Sequence, residues 1–131
     1  MNKKFENIIK DLEKLAKANK DLNKLTDHSI VTCALVTKNG KVFKGINVAW
    51  WHSMCAEIGA ISNGFLAGER DFEYLISVKL DKRNGRTSLI TPCGICREMF
   101  DEFNLRHIKC VLKNKKGEFE FHTIDELLPL S

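Results

Sequence analysis

Two short cysteine segments, far apart in the sequence, constrain the fold of this chain more than any other feature. The first reads Cys55-Ala56-Glu57, and the second reads Pro92-Cys93-Gly94-Ile95-Cys96. The spacing in the second segment puts both sulfurs on one face of a first helical turn, and the proline suits the entry to a helix. We expect Cys55 to begin another helix. The fold must therefore bring two helix starts together if the three cysteines are to act as one group.

Such a group has the composition of a catalytic metal site. Three thiolates can hold a zinc ion and leave its fourth coordination position open for water. The partial positive charge of a helix N-terminus favours thiolate over thiol at Cys55 and Cys93. The two helix dipoles and nearby Arg97 would offset the excess negative charge on the site. Glu57 would place a carboxylate beside the open position, so the pattern predicts hydrolysis by a metal-activated water.

Other interpretations of the cysteines stay open at this point. An isolated Cys-x-x-Cys pair is also typical of a redox site or of half a structural zinc ribbon. A closed structural site needs a fourth ligand, and His52, three residues before the first cysteine, is the best spare one. Cys33 and Cys110 lie in apolar, strand-like segments, so we expect both to be core residues rather than ligands.

Length and composition limit the classes of protein that fit. The 131 residues suffice for one compact domain, residues 1–131, that buries roughly two thirds of its unfolded surface. Hydrophobic residues make up 44% and charged residues 29%, which disfavours a disordered chain. Charges interrupt the N-terminal segment, which argues against a secretory signal. We therefore expect a cytoplasmic protein whose five cysteines are free thiols or metal ligands.

Charge gives little support to a nucleic acid partner. Twenty-one basic and seventeen acidic side chains leave a formal net charge of +4, spread along the sequence. The one dense basic stretch, 113–116, precedes Gly117 and is typical of a solvated hairpin turn. We expect no nucleic acid polymer and no membrane as a partner, because phosphate binding usually needs a larger basic surface.

Hydrophobic periodicity predicts alternating helices and strands. The predicted elements, in order, are an amphipathic helix at 5–18, two strands joined by the Asn39-Gly40 turn, a helix at 55–67, a buried strand at 74–80, a helix from Cys93 to Phe103, strands at 107–112 and 118–123, and a short helix at 124–128. This alternation favours an α/β layered domain around one central mixed sheet.

The two cysteine segments together resemble the zinc-dependent cytidine deaminase family, in which an all-cysteine ligand set occurs. Further similar stretches are the hairpin LVTKNGKVFKGINV, the helix start CAEIGAI, the segment PCGICREMFDEF and the terminal DELLP, so that the resemblance extends over about residues 29–129. It implies a three-layer fold with a five-stranded mixed sheet and helices on both faces. It also implies a homotetramer.

The resemblance assigns roles to individual residues. One zinc ion per subunit would be held by Cys55, Cys93 and Cys96. Glu57 would carry protons, first from the attacking water to the ring nitrogen and then to the departing amino group.

Two further positions would bind the substrate by the same resemblance. The backbone N–H of Ala56 would contact the ring carbonyl, and Asn47 would contact the sugar. Nucleoside-specific members carry an acid two residues after that asparagine, whereas this chain has Ala49. Ser29 and Ile58 replace an aromatic residue and an arginine that are usual in the family. Blasticidin S deaminases likewise lack the acid and have an aliphatic residue after Cys-Ala-Glu.

The leading hypothesis is a zinc-dependent hydrolytic deaminase of cytidine, deoxycytidine or a cytosine-like nucleoside analogue. An alternative substrate is a blasticidin S-type antibiotic or another aminated heterocycle. Trp50, Trp51 and Met54 would line such a pocket or a subunit contact. A rival of a different class is a catalytically silent, zinc-stabilised binding module, and Glu57 argues against it. A polynucleotide editor is disfavoured because editors commonly use histidine in the first segment.

Overall fold

The computed structural model describes residues 2–24, 29–50 and 53–127. Its elements, in chain order, are α1 (Asn2–Ala18), β1 (Ile30–Thr37), β2 (Val42–Ile46), α2 (Ala56–Leu66), β3 (Phe72–Leu80), β4 (Thr87–Ile90), α3 (Gly94–Glu102), β5 (Lys109–Lys113), β6 (Phe119–Thr123) and α4 (Ile124–Leu127). The order of helices and strands follows the sequence prediction except for β4.

One mixed sheet forms the centre of the molecule. The strand order is β2-β1-β3-β5-β6, and β4 pairs with β3 beside this path. β3 and β5 are parallel, and the other pairs are antiparallel. The five predicted strands make up the whole path, so the structure corrects the strand count from five to six. The sequence prediction omits β4 because Thr87 and Ser88 continue the polar composition of the preceding loop.

Alternate residues of the sheet support two separate cores. Ala34, Ile76 and Val111 pack against α1, through side chains that include Phe5 and Leu12. The neighbouring positions in the same strands face the other way. They pack against α2, α3 and α4 and include Cys33, Leu35, Leu75 and Cys110. Because side chains alternate across a strand, the sheet lies between helices on both faces, and the predicted three-layer α/β fold is confirmed.

Contact between backbones sets the position of α2 on the sheet. A β-carbon at Gly45 of β2 would lie 2.1 Å from the carbonyl oxygen of Ala56 and 2.5 Å from the backbone nitrogen of Ala60. A β-carbon at Gly59 would lie 3.5 Å from the α-carbon of Gly45. The start of α2 therefore lies directly against β2, at a distance that only glycine permits.

The predicted element ends differ from the structure by a few residues. The Asn39-Gly40 turn is confirmed, with Gly40 at a φ of +88°. The strand predicted from His107 begins at Lys109, because His107 lies in a turn. Within the described parts of the chain, no helix combines the length and apolar character needed to cross a membrane.

Candidate active site

Two helix N-termini converge on the candidate site. Cys55 is the N-cap residue of α2 and Cys93 is the N-cap residue of α3, and both have extended backbones. Cys96 lies one turn into α3. The sulfurs of Cys55, Cys93 and Cys96 lie within 4.8 Å of one another, and those of Cys55 and Cys93 are 3.4 Å apart. The structure therefore brings together two segments that α2, β3 and β4 separate in the sequence.

The three-cysteine cluster fits a zinc ion. A tetrahedral ion with Zn–S bonds of about 2.3 Å separates its sulfurs by about 3.8 Å, close to the spacing here. Cys96 is buried, Cys55 is partly buried and Cys93 is exposed, so the cluster opens towards solvent on one side. Three protein ligands with one open side are typical of a catalytic zinc site rather than of a closed structural one. One zinc ion per chain is the cofactor that this donor set selects.

The electrostatics of the cluster favour a bound cation. Burial raises the pKa of the Cys96 thiol far above its usual value, and the nearby Glu57 carboxylate raises it further. Burial and the hydrogen bond to Cys93 also raise the pKa of Cys55. Burial opposes ionisation of Cys93, but hydrogen bonds from the backbone N–H of Cys96 and from the Cys55 thiol lower its pKa overall. Three thiolates beside a carboxylate need a positive ion to offset their charge.

Glu57 lies inside the protein next to the sulfurs. It is the second residue of α2, and its side chain is 3% exposed. The hydroxyl of Ser77 donates a hydrogen bond of 2.7 Å to Oε2, and the Cys96 sulfur lies 3.7 Å from Oε1. The sequence analysis missed Ser77. Its signal was a hydroxyl within the otherwise apolar stretch from Leu75 to Val78.

A cavity of about 250 Å³ lies in front of the cluster. Cys55, Ala56, Glu57 and Cys93 line the end that faces the metal site. Apolar side chains form most of the remaining walls, namely Val31, Val48, Ala49, Met54 and Ile90. Val48 and Met54 also pair with each other through two backbone hydrogen bonds of 2.8 and 2.9 Å.

Asn47 lines the same cavity, but its side chain also binds the protein backbone. Its Oδ1 accepts the N–H of Val31 at 2.8 Å, and its Nδ2 donates to the carbonyl of Ser29 at 3.0 Å. Asn23 donates to the same Oδ1 at 3.4 Å and accepts the N–H of Ala49 at 2.7 Å. Because an amide has two N–H donors, the contact with Ser29 uses one of the two. The sequence analysis missed Asn23, which adopts a φ of 62°.

The remaining sequence predictions for the site have separate outcomes. Cys33 and Cys110 are buried core residues, as predicted, and burial and the Glu57 carboxylate raise the pKa of Cys110 to about 12. His52 and Trp51 lie outside the described residues. Arg97 is hydrogen-bonded to the carbonyls of Pro92 and Leu127 and to the hydroxyl of Thr91, at 2.8 to 3.1 Å. Its guanidinium therefore holds the segment that leads to Cys93.

The sequence analysis predicts that Trp50, Trp51 and Met54 line either the pocket or a subunit contact. Met54 does line the cavity. Trp50 is 43% exposed. The prediction that tryptophans shape the pocket or a subunit contact stays a prediction.

Comparison with known proteins places these residues in a family context. The model of the cytidine and deoxycytidylate deaminase zinc-binding region matches residues 6–112. A cytidine deaminase of Halalkalibacterium halodurans is 32% identical over 102 residues, covering 76% of this chain and 74% of that protein. A blasticidin-S deaminase of Bacillus cereus is 27% identical over 136 aligned positions, covering 98% and 96% of the two chains.

Solved structures give the same result at the level of the fold. The crystal structure of cytidine deaminase from Burkholderia pseudomallei is 31% identical in sequence and superposes with a TM-score of 0.68. The superposition covers 91% of this chain and 94% of that one. The likeness therefore includes nearly the whole chain rather than the cysteine segments alone.

Proposed function

This chain belongs to the zinc-binding cytidine and deoxycytidylate deaminase family, and we propose that its substrate is cytidine, deoxycytidine or a cytosine-like nucleoside analogue. The reaction is hydrolytic: water replaces the exocyclic amino group, leaving a carbonyl and releasing ammonia. The observation that carries the proposal is the buried Glu57 carboxylate beside a three-cysteine cluster that opens into a cavity. A structural zinc site would need a fourth protein ligand and would have no use for that carboxylate.

Cys55, Cys93 and Cys96 are the proposed zinc ligands. Bound zinc supplies the Lewis acidity that makes a water molecule nucleophilic near neutral pH. The two helix N-termini and the backbone N–H of Cys96 stabilise the thiolates that this requires.

Glu57 is the proposed catalytic acid and base. Its carboxylate would take a proton from the attacking water and deliver it to the ring nitrogen as the C–O bond forms. A second proton, from the hydroxyl now on the ring carbon, would then pass through Glu57 to the amino group as the C–N bond breaks, the carbonyl forms and ammonia leaves. Ser77, Cys96 and the cavity wall surround the carboxylate, which keeps it away from bulk water and within reach of a ligand in the cavity.

Ala56 and Asn47 are the proposed substrate contacts. Ala56 is the first residue of α2, and the helix itself provides no acceptor for its N–H. That N–H is available to the ring carbonyl of a pyrimidine in the cavity. Asn47 offers its remaining amide hydrogen to the sugar. The cavity, at about 250 Å³, fits a small ligand better than a polymer, so we propose no nucleic acid polymer as substrate.

A blasticidin S-type antibiotic, or another aminated heterocycle, is the second candidate substrate. The blasticidin-S deaminase of B. cereus aligns over nearly all of this chain, whereas the H. halodurans cytidine deaminase aligns over 76% of it. Ala49 also places a methyl group at the cavity wall two residues after Asn47, where nucleoside-specific members carry an acid. A catalytically silent zinc-stabilised binding module is the alternative of a different class, and the Glu57–Ser77 arrangement argues against it.

Ammonia release from the zinc-loaded protein tests the proposal. The compounds are cytosine, cytidine, deoxycytidine, blasticidin S and simple aminated heterocycles, each measured beside the Glu57→Gln variant. We expect turnover of at least one cytosine-containing compound, and loss of that turnover in the variant. Zinc-loaded protein that releases ammonia from none of them, or a fully active Glu57→Gln variant, would refute the proposed function. Preference for blasticidin S over cytidine would select the second candidate.

We also propose that the subunits form a homotetramer. Large apolar side chains on α2 and α3 are exposed, including Leu66 at 89% and Ile95 at 70%. Exposed apolar groups on neighbouring helices are typical of a surface that another protein covers. Light scattering after size exclusion should give about four times the chain mass, and a monomer at micromolar concentration would contradict the proposal.

Two further proposals concern the chain as a whole. We propose a cytoplasmic location, supported by five cysteines that all have free thiols in the structure. We propose one domain over residues 1–131, supported by cores that include residues from both α1 and α4. Cell fractionation tests the first proposal. Limited proteolysis of the folded protein tests the second, because two domains would leave a stable fragment.

A further inference from the structure

Ser77 is a buried hydroxyl in the middle of β3. It is 1% exposed, and the sheet register places it between Cys33 of β1 and Ile90 of β4. Both neighbours offer little to a hydroxyl, and an unpaired hydroxyl in such surroundings is costly. The hydroxyl is directed at Glu57 Oε2, with an O–O distance of 2.7 Å.

This hydrogen bond makes the two carboxylate oxygens of Glu57 different. A distance of 2.7 Å is that of a well-formed hydrogen bond from a hydroxyl to a carboxylate. Oε2 therefore has a fixed donor on the sheet side. Oε1 lies on the side of the thiol cluster, 3.7 Å from the Cys96 sulfur. Glu57 lines the cavity, and Ser77 contacts the Glu57 carboxylate from β3.

We propose that Ser77 is a positioning residue that fixes the Glu57 carboxylate so that Oε1 alone exchanges protons during the reaction. The inference rests on the proposed function, because it assigns the proton transfers of that reaction to one oxygen. Ser77 keeps its own proton and donates to Oε2 whether the carboxyl group is ionised or protonated.

The division of the two oxygens fits the proton balance of the reaction. The attacking water gives one proton to Oε1 as its oxygen bonds to the ring carbon. Oε1 passes that proton to the ring nitrogen. It later takes the second proton from the new hydroxyl on the ring carbon, which becomes the carbonyl, and delivers it to the departing amino group. No step needs Oε2 to lose its donor. A carboxylate that is held in one orientation does not have to reorient between steps, which lowers the activation barrier of each proton transfer.

The kinetics of Ser77→Ala and Ser77→Thr test this inference. We expect kcat of Ser77→Ala to fall by about 10- to 100-fold with KM within about twofold of the wild type and one zinc per chain retained. Ser77→Thr restores a hydroxyl, so its kcat should recover most of the loss. The matched control is Thr32→Val, because Thr32 is 2% exposed and donates to the Leu12 carbonyl on the opposite face of the sheet. We expect it to leave kcat unchanged.

Crystal structures of the wild type and Ser77→Ala provide a readout independent of activity. We expect the Glu57 carboxyl plane to turn once Oε2 loses its donor. A Ser77→Ala protein that binds zinc and keeps kcat within twofold of the wild type would overturn the inference, as would an unmoved carboxylate in its crystal structure. If the wild type deaminates none of the tested compounds, the proposed function fails. The orientation of Glu57 in the two structures then decides separately whether Ser77 positions the carboxylate, and it does so as well if Ser77→Thr does not fold.

Discussion

The two faces of the central sheet are equally buried but differ in chemistry. On the face covered by α1, the core is built from apolar side chains such as Phe5, Leu12 and Ile76, and the buried Thr32 hydroxyl binds a backbone carbonyl. On the opposite face, Glu57, Ser77 and several cysteines are buried among the apolar residues. One sheet therefore provides stability through one face and reactive groups through the other.

We call the sheet face that carries Glu57, Ser77 and the cysteines the reactive face. The largest effect is expected from removing a zinc ligand on this face. Cys93→Ser replaces an exposed sulfur, so the fold should survive while stoichiometric zinc binding and activity are lost. Metal analysis of the purified variant, with circular dichroism as the control for folding, measures both. Full-affinity zinc binding by Cys93→Ser would place the metal elsewhere.

Glu57→Gln should separate catalysis from stability on the same face. The amide has nearly the shape of the carboxylate and can still accept the Ser77 hydrogen bond, so we expect a melting temperature within a few degrees of the wild type. Loss of the proton carrier should lower kcat by about 100- to 10,000-fold. Thermal unfolding and ammonia release measure the two effects. A large drop in melting temperature with little change in kcat would reverse the roles assigned to the two faces.

Phe5→Ala should show the opposite behaviour on the α1 face. Phe5 is 1% exposed and packs edge-on against Tyr74 and Phe119, so its truncation should lower the free energy of unfolding by about 3–5 kcal/mol. Because α1 lies across the sheet from the cysteines, kcat per folded molecule should stay near the wild-type value. Denaturant unfolding and active-site titration test this. Loss of kcat in molecules that remain folded would show that the faces are coupled.

The smallest effect concerns thiol reactivity within the reactive face. After zinc is removed with a chelator, iodoacetamide near neutral pH should label Cys93 first, because it is exposed and its pKa is lowered. Cys33 and Cys110 should react slowly, since both are buried and their pKa values are raised. Mass spectrometry of timed samples gives the order of labelling. Bound zinc should protect Cys93, and faster labelling of Cys110 would contradict the assigned environments.

Local sequence patterns predicted the cysteines and Glu57 better than they predicted the residues that contact and position them. Each half of the cluster, Cys55 and the Cys93–Cys96 pair, was predictable because helix starts and cysteine spacing are local properties of the sequence, and metal chemistry and the family resemblance joined the two halves. The contact between Ser77 and Glu57 joins residues that are 20 positions apart, and it depends on how α2 packs on β3. No local pattern contains that information.

The same distinction explains the other differences from the sequence prediction. β4 has only four residues, and its pairing with β3 depends on where the chain folds back rather than on its own composition. The role of Asn47 as a sugar contact was inferred from resemblance alone. Its hydrogen bonds to Ser29 and Val31, and the part played by Asn23, depend on how the segment before β1 lies beside the end of β2.

The contact between Gly45 and the first turn of α2 bears on how this catalytic unit can be reused. Since no side chain separates Gly45 of β2 from the first turn of α2, the position of the helix that carries Glu57 is set directly by the strand. A transplant of the site into another scaffold would have to carry the hairpin together with the helix. By contrast, Val48 and Met54 pair with each other through two backbone hydrogen bonds, and Ala49 and Ser53 line the cavity beside them. Substitutions at Ala49 and Ser53 would therefore change the cavity wall without touching the contact between Gly45 and α2.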